Sequence, residues 1–224
     1  MKDQFMRDAV DAGLDFFRFS LIGYNKDKYI KWMNKDAFKE VYDNIVEMKK
    51  YVTETDSNCD VATYSLIEDY DNRFEEVEAY KNLLEPHGIH MEIWMMHNWS
   101  GVYNPTDKRN GQQKTCGRPF SPDIVIRAGG NDGHKLAVHP CCQVLGNDSV
   151  AVLGHLDTNT IEEVWNGKEY NELRDNHLSG NYPSYCVGCD FLIDDTNVLV
   201  YTNYDRELNK MHGTEFDLDK FREV

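Results

Sequence analysis

The sequence predicts a two-part α/β protein: the C-terminal half of a parallel β/α fold, followed by a small α+β domain. Strand-like apolar runs alternate with amphipathic helices before residue 98, which is the rhythm of a parallel sheet with crossover helices. Beyond that point the rhythm stops, and five of the six cysteines lie between residues 116 and 189. We therefore predict domains at residues 1–112 and 113–195, with a tail at 196–224.

The first part alternates helix and strand from its start. Helical spacing up to Asp11 followed by Gly13 predicts the end of a helix, and the apolar run at 14–22 predicts a buried strand. After a polar loop at 23–34, an amphipathic helix begins near Asp36. The further expected elements are strands at 60–67 and 89–97 and a helix at 74–84. A chain that reaches a strand after one short helix is typical of the back half of such a fold.

The second part has signals for a hairpin and a helix. Short strands at 124–127 and 135–138 flank a glycine-rich turn, and no Lys-Ser/Thr follows that would indicate a phosphate loop. Thr160 and Glu163 form a capping box, so we predict a helix that continues past Gly167. The tail contains one apolar run, to which we assign no function.

Charge and composition exclude several classes of partner. The chain has 39 acidic and 24 basic residues and a net charge of −15, which repels phosphate backbones and anionic lipid. We expect neither nucleic acid nor membrane as a partner. The absence of a signal-type apolar segment predicts a cytoplasmic protein, where thiols are normally reduced, so the cysteines favour metal or cluster ligation over disulfides.

The cysteines provide ligands for one metal centre. Cys186 and Cys189 form a Cys-x-x-Cys turn, and Cys116 with one member of the Cys141–Cys142 doublet brings the ligand count to four. Both a [4Fe–4S] cluster and a structural zinc ion take four ligands, so the count leaves both open. Cys59, just before a strand, is expected to be a small buried apolar residue.

His139 could complete a Cys₃His zinc site, but the pattern favours a surface histidine on a hairpin. His97 and Asn98 lie at the C-terminal end of a predicted strand. We expect them to form a buried or hydrogen-bonded structural pair, with substrate contact as the second interpretation.

The order of these motifs resembles a SPASM-type domain, the C-terminal auxiliary-cluster domain of radical S-adenosylmethionine (SAM) enzymes. The resemblance rests on Thr-Cys-Gly-Arg-Pro-Phe, Pro-Cys-Cys, the segment 153–167 and Cys-Val-Gly-Cys-Asp. It implies that one auxiliary [4Fe–4S] cluster is held by Cys116, Cys141, Cys186 and Cys189, with Cys142 as the alternative to Cys141. Two-cluster relatives carry more cysteines, so the chain is similar to the abbreviated single-cluster forms.

The segments 12–23 and 92–101 resemble the fourth and sixth strands of that family's catalytic barrel, which implies a partial barrel. By the same resemblance, Ser20 at a strand's C-terminal end would contact SAM; the alternative is a serine that caps backbone groups at the strand end. The Cys-x₃-Cys-x₂-Cys motif of the SAM-cleaving cluster is absent from the sequence. The chain alone is therefore not expected to be a competent radical SAM enzyme, and the sequence leaves open whether it acts within one.

SAM would bind only if the missing barrel half were supplied. The resemblance accordingly implies a separate polypeptide that carries this half as a partner, and a peptide or a small molecule as substrate. The alternative from another class is a structural zinc-binding interaction module that uses the same four cysteines.

Overall fold

The computed structural model describes residues 2–103, 115–121, 123–128, 135–144, 151–192 and 199–204. Its contacts divide the chain into two compact units. Residues 199–204 belong to the first unit together with the chain up to Met96, and the described residues from His97 to Leu192 form the second. No helix in the described part of the chain is long and apolar enough to cross a membrane.

The described residues contain six α-helices, seven β-strands and three short 3₁₀-helices. The helices are α1 (Lys2–Asp11), α2 (Lys26–Met33), α3 (Phe38–Glu54), α4 (Arg73–Leu84), α5 (Ile161–Trp165) and α6 (Lys168–Ser179). The strands are β1 (Phe16–Ser20), β2 (Asp60–Ile67), β3 (His90–Met95), β4 (Val125–Ala128), β5 (Leu136–His139), β6 (Gly154–His155) and β7 (Leu199–Thr202).

The first unit contains a four-stranded sheet in the order β1-β2-β3-β7. The two pairings among β1, β2 and β3 are parallel, as the alternation of helix and strand predicts. Strand β7 joins β3 in antiparallel orientation, with Tyr201 opposite Ile93, and was not predicted. The apolar run of the predicted tail is thus part of the first unit's sheet.

The core of the first unit lies between this sheet and its helices. Ile45 of α3 and Tyr80 of α4 are almost completely buried against Met91 and Ile93 of β3. Ile45 lies in the apolar stripe that the sequence predicts for this helix, and Met91 and Ile93 lie in the third apolar run of the sequence. The predicted alternation of helices and strands in the first unit is therefore confirmed.

Strand β1 differs from the prediction of a buried strand. It lies at the edge of the described sheet, and Arg18 and Ser20 are exposed. The buried part of the apolar run is Leu21 and Ile22, just after the strand. An edge strand has a neighbour on one side only, so an apolar run there is only partly covered.

The predicted loop at 23–34 is wrong, because α2 occupies most of it. The side chain of Asn25 caps this helix by accepting a hydrogen bond from the Lys28 N–H at 2.9 Å. Tyr29 is buried at 5% exposure and Asn34 ends the helix in the left-handed conformation. This short helix has many charged residues and a single buried one, so its sequence has no apolar stripe that would predict a helix.

The second unit contains a three-stranded antiparallel sheet in the order β4-β5-β6. The predicted hairpin is confirmed, with Ile126 opposite Val138, while its turn at 129–134 lies outside the described residues. The capping box is also confirmed: Thr160 Oγ1 accepts from Glu163 N at 3.1 Å, and the Glu163 carboxylate accepts from Thr160 N at 2.8 Å.

The predicted continuous helix is instead broken into α5 and α6. Gly167 has an extended backbone, with ψ of 168°. A Cβ at this position would lie 2.9 Å from the Glu163 carbonyl oxygen. The glycine therefore permits a close turn between the two helices where a larger residue would clash.

Candidate metal centre

Four thiols from three separate segments line one cavity of the second unit. These are the side chains of Cys116, Cys141, Cys186 and Cys189. Its remaining lining residues are Ser100, Arg118, Gln143, Val144, Tyr185, Phe191 and Leu192. The structure thus brings together all four residues that the resemblance implies as ligands, and their role as ligands stays a prediction.

Helix α6 holds the segment of Cys116 on both sides. Thr115 Oγ1 and His177 Nδ1 are 2.8 Å apart in a buried contact. The Arg174 Nε donates to the Pro119 carbonyl at 3.1 Å, and its guanidinium carbon lies 4.3 Å from the centroid of a Trp165 ring. The position of the first thiol therefore depends on a helix far along the chain.

The second pair of thiols lies on one tight turn. The Cys186 N–H donates to Pro183 O at 2.8 Å, and the Cys189 N–H donates to Cys186 O at 3.0 Å. Gly188 between them has a φ of +82°, in the left-handed region that favours glycine. This backbone path directs both thiols into the same cavity.

A loop near the start of the second unit clamps this turn. The backbone N–H of Asn98 donates to Asp190 Oδ2 at 2.8 Å, and the backbone N–H of Asp190 donates to Asn98 Oδ1 at 3.2 Å. Asn98 Nδ2 donates to Gly188 O at 2.7 Å, and Ser100 Oγ donates to Tyr185 O. The expectation of a hydrogen-bonded structural role for Asn98 is confirmed.

The two members of the cysteine doublet have different surroundings. Cys141 lines the cavity, whereas Cys142 is exposed and its Sγ accepts a hydrogen bond from Arg118 Nη1 at 3.5 Å. This arrangement favours Cys141 as the ligand. Cys59 is buried in an apolar cluster of the first unit, as predicted.

The expectation of a surface position for His139 is wrong. This residue is 2% exposed, because it lies on the central strand of the three-stranded sheet. It does not line the cavity of the four thiols.

Burial and mutual proximity raise the pKa values of the four thiols. Burial raises the pKa of Cys116 to about 11 and that of Cys189 to about 12. It raises the pKa of Cys186 further, and the negative charges of the other three thiolates add to this rise. Four thiolates can therefore share this cavity only together with a positively charged group.

Backbone amides oppose this rise at three of the four sulfurs. The N–H groups of Arg118 and Phe191 hydrogen-bond the sulfurs of Cys116 and Cys189, and each lowers the pKa of its thiol. The N–H of Gln143 does the same for Cys141. In each case the donor lies two residues after the cysteine, so the local turn that places the thiol also stabilises its thiolate.

The thiols surround a cavity rather than a single point. Within the described ranges, no group of three or more histidine, cysteine, aspartate or glutamate residues is arranged to hold one metal ion. A zinc ion needs its sulfur ligands at about 2.3 Å from one centre. In a cubane cluster each iron takes one thiolate, which fits four thiols around a cavity.

One family model matches a large part of the second unit. Residues 120–190 match the SPASM family model, an iron–sulfur cluster-binding domain. This confirms the predicted resemblance and indicates iron–sulfur cluster binding. The match includes Cys141, Cys186 and Cys189, and Cys116 lies just before it. Searches of the curated proteins and of the solved structures found no match.

Ser20 belongs to the first unit, whereas the four thiols belong to the second. It ends β1 in the first unit, is exposed, and lies opposite Tyr64 in the sheet register. Its predicted contact with SAM stays a prediction.

The sequence interpretation missed the supporting roles of Arg118, Arg174 and His177. Arg118 could have been noticed because it follows Cys116 by two residues. The other two lie within a helical pattern that gives no sign of their contacts with residues 115 and 119.

Proposed function

We propose that the second unit binds one auxiliary [4Fe–4S] cluster through Cys116, Cys141, Cys186 and Cys189, as part of a radical SAM/SPASM-type protein. The observation that carries this proposal is the convergence of these four thiols on one cavity. The match of residues 120–190 to an iron–sulfur cluster-binding domain supports it.

Residues of the chain would stabilise the negative charge of the thiolates and shield the site from water. The four thiolates would each bind one iron, and the amides of Arg118, Gln143 and Phe191 would donate to their sulfurs. Such a cluster, when bound, provides one-electron transfer or an anchoring point for substrate. The half-buried Tyr185 and the buried Leu192 line the cavity and limit the access of water.

The zinc-binding module remains the competing function, because it would use the same thiols. In this structure the four side chains would have to move towards a common centre to coordinate one ion. The two functions predict different metal contents and different absorbance.

Anaerobic reconstitution with iron and sulfide tests the proposal. We expect about four irons and four sulfides per chain and a broad absorbance band near 400 nm, which is the signature of a [4Fe–4S] cluster. Cys186→Ser should greatly reduce both signals, and Cys59→Ser, which alters a thiol of the first unit, should leave them unchanged. Stoichiometric zinc with no visible band would reject the cluster in favour of the zinc module.

We further propose that a separate polypeptide carrying the N-terminal barrel half pairs with the first unit. The exposed edge strand β1 supports this, since a parallel sheet is normally extended by further strands. In that complex Ser20 would contact SAM, and a peptide or small molecule would be the substrate.

Co-expression of the chain with an N-terminal barrel half from a radical SAM enzyme tests this pairing. Co-purification and SAM binding are the expected results, and Arg18→Pro in β1 should weaken both by removing a backbone donor from the strand. Failure of the two chains to associate would contradict the pairing without affecting the cluster proposal.

A further inference from the structure

We infer that Arg118 sets the reduction potential of the centre by holding a fixed positive charge against the cavity of the four thiols. This inference rests on the proposed function, since it concerns the same site. It assigns to a residue outside the ligand set an electrostatic role that is separate from cluster binding.

The guanidinium of Arg118 is held in a defined position at the cavity. Its central carbon lies 4.9 Å from the centroid of the Phe191 ring, a cation–π arrangement. Nη1 donates to Cys142 Sγ at 3.5 Å. The backbone next to Arg118 is held in place because Arg174 donates a hydrogen bond to the carbonyl of the following residue, Pro119. The charge therefore stays next to the thiols instead of extending into solvent.

No carboxylate of the described residues forms an ion pair with Arg118. Its Nε is also buried and has no hydrogen-bond partner among those residues. A buried donor without a partner is costly, and an anionic cluster with its thiolates would provide the missing acceptor. The geometry is thus that of a cation whose counter-charge is the centre itself.

The charge of Arg118 acts on two of the four thiols from different segments. It lowers the pKa of Cys116 and the pKa of Cys141, against the larger effect of burial. Asp190 acts in the opposite sense at Cys189, but its carboxylate is engaged by the backbone of Asn98. Among the described residues that line the cavity, Arg118 is therefore the only one with a positively charged side chain.

A cation at this position favours the reduced state. Reduction adds one electron from an external one-electron donor and neither forms nor breaks a bond, so the centre becomes more negative. The Arg118 charge stabilises the more negative state more strongly, and this effect is large at low effective dielectric constant. Net charge and hydrogen bonds to sulfur are established determinants of iron–sulfur potentials. Removal of the charge should make the potential more negative.

A redox titration of the reconstituted 224-residue chain tests the inference. The midpoint potential would be measured with dithionite and mediators by following the electron paramagnetic resonance signal of the reduced cluster. Arg118→Gln should shift the midpoint to a more negative value, whereas Arg118→Lys should retain most of the wild-type value. Lys168→Gln removes one positive charge from the exposed face of α6 in the same unit and should cause no shift.

The outcomes separate this inference from the proposed function. If the wild-type chain does not assemble a cluster, the proposed function itself fails. If Arg118→Gln assembles a cluster with the wild-type midpoint, the inference alone is overturned. If Arg118→Gln does not assemble a cluster, Arg118→Lys decides: assembly with a near wild-type midpoint supports the need for the charge, and failure to assemble shows a purely structural role.

Discussion

At the scale of single residues, the cysteine doublet shows how burial distinguishes two adjacent, chemically identical side chains. Cys141 lies in the cavity while Cys142 is exposed. The local sequence alone leaves both as candidates, because either thiol follows the hairpin directly. The direction in which each side chain points depends on the end of β5 and on the residues packed around it.

We predict that Cys141→Ser lowers reconstituted iron to well under half of the wild-type content, since it removes one thiolate ligand. The matched variant Cys142→Ser alters the neighbouring thiol and should retain nearly all of the iron. Iron and sulfide analysis after anaerobic reconstitution measures both. A larger loss in Cys142→Ser than in Cys141→Ser would assign the ligand to the other member of the doublet.

The buried His177 predicts a pH dependence of the apo protein. Burial lowers its pKa from the ordinary value of 6.5 to about 4. Between these values the unfolded chain takes up a proton that the folded unit does not, so the free energy of unfolding falls as the pH falls through this window. At 1.36 kcal/mol per pKa unit, the full loss is about 3 kcal/mol, reached near pH 4.

Urea unfolding of the reduced apo protein at pH 7 and at pH 4.5 measures this effect. His177→Asn keeps a hydrogen-bonding group near Thr115 but does not titrate. We expect a smaller loss of stability on acidification in this variant than in the wild type. An equal loss in both proteins would show that other groups cause the pH dependence.

At the scale of elements, the thiol site depends on short segments that brace one another. The turn of Cys186 and Cys189 is tied to Asn98 by three hydrogen bonds. The segment of Cys116 is tied to α6. A small domain with few long elements can hold four thiols in place only through such contacts.

We predict that Asn98→Ala destabilises the second unit by about 1–3 kcal/mol, because it leaves the Asp190 amide and the Gly188 carbonyl without their side-chain partners. Loss of iron to a chelator should be correspondingly faster. Asn181→Ala, in an exposed segment of the same unit, is the control and should behave like the wild type. Equal rates of iron loss in the two variants would contradict the clamp.

The elements also show where local patterns are sufficient. The capping box at Thr160 and the apolar stripe of α3 act through neighbours within one helical turn, so the sequence predicts them correctly. Helix α2 and the break at Gly167 depend on one buried tyrosine and on a steric contact. Neither produces a periodic pattern, and both were predicted incorrectly.

At the scale of the whole molecule, the first and the last described strands belong to one sheet. Strand β7 pairs with β3, and Asn203 extends this pairing with its side chain. Its Oδ1 accepts from the Met91 N–H at 2.7 Å, and its Nδ2 donates to the Ile89 carbonyl at 3.3 Å. The first unit therefore needs a segment that follows the second unit in sequence.

We predict that Asn203→Ala destabilises the first unit by about 1–2 kcal/mol and speeds hydrogen exchange of the Met91 amide, because this amide loses its acceptor. Asn203→Asp retains an acceptor and should have a smaller effect. Hydrogen exchange followed by mass spectrometry measures both. Peptides of the β4–β5 hairpin serve as the internal reference, and faster exchange there would contradict an effect confined to the first unit.

The sequence by itself determined the helix–strand alternation of the first unit, the hairpin, the SPASM-type motifs and a set of thiols sufficient for one centre. These features depend on periodicity and on residues close together in the chain. Only the tertiary structure decided that Cys141 and not Cys142 faces the cavity, that Arg118 lies against it, and that β7 completes the sheet. Each of these depends on side-chain direction or on pairing between distant segments, which long-range packing fixes and local sequence does not encode.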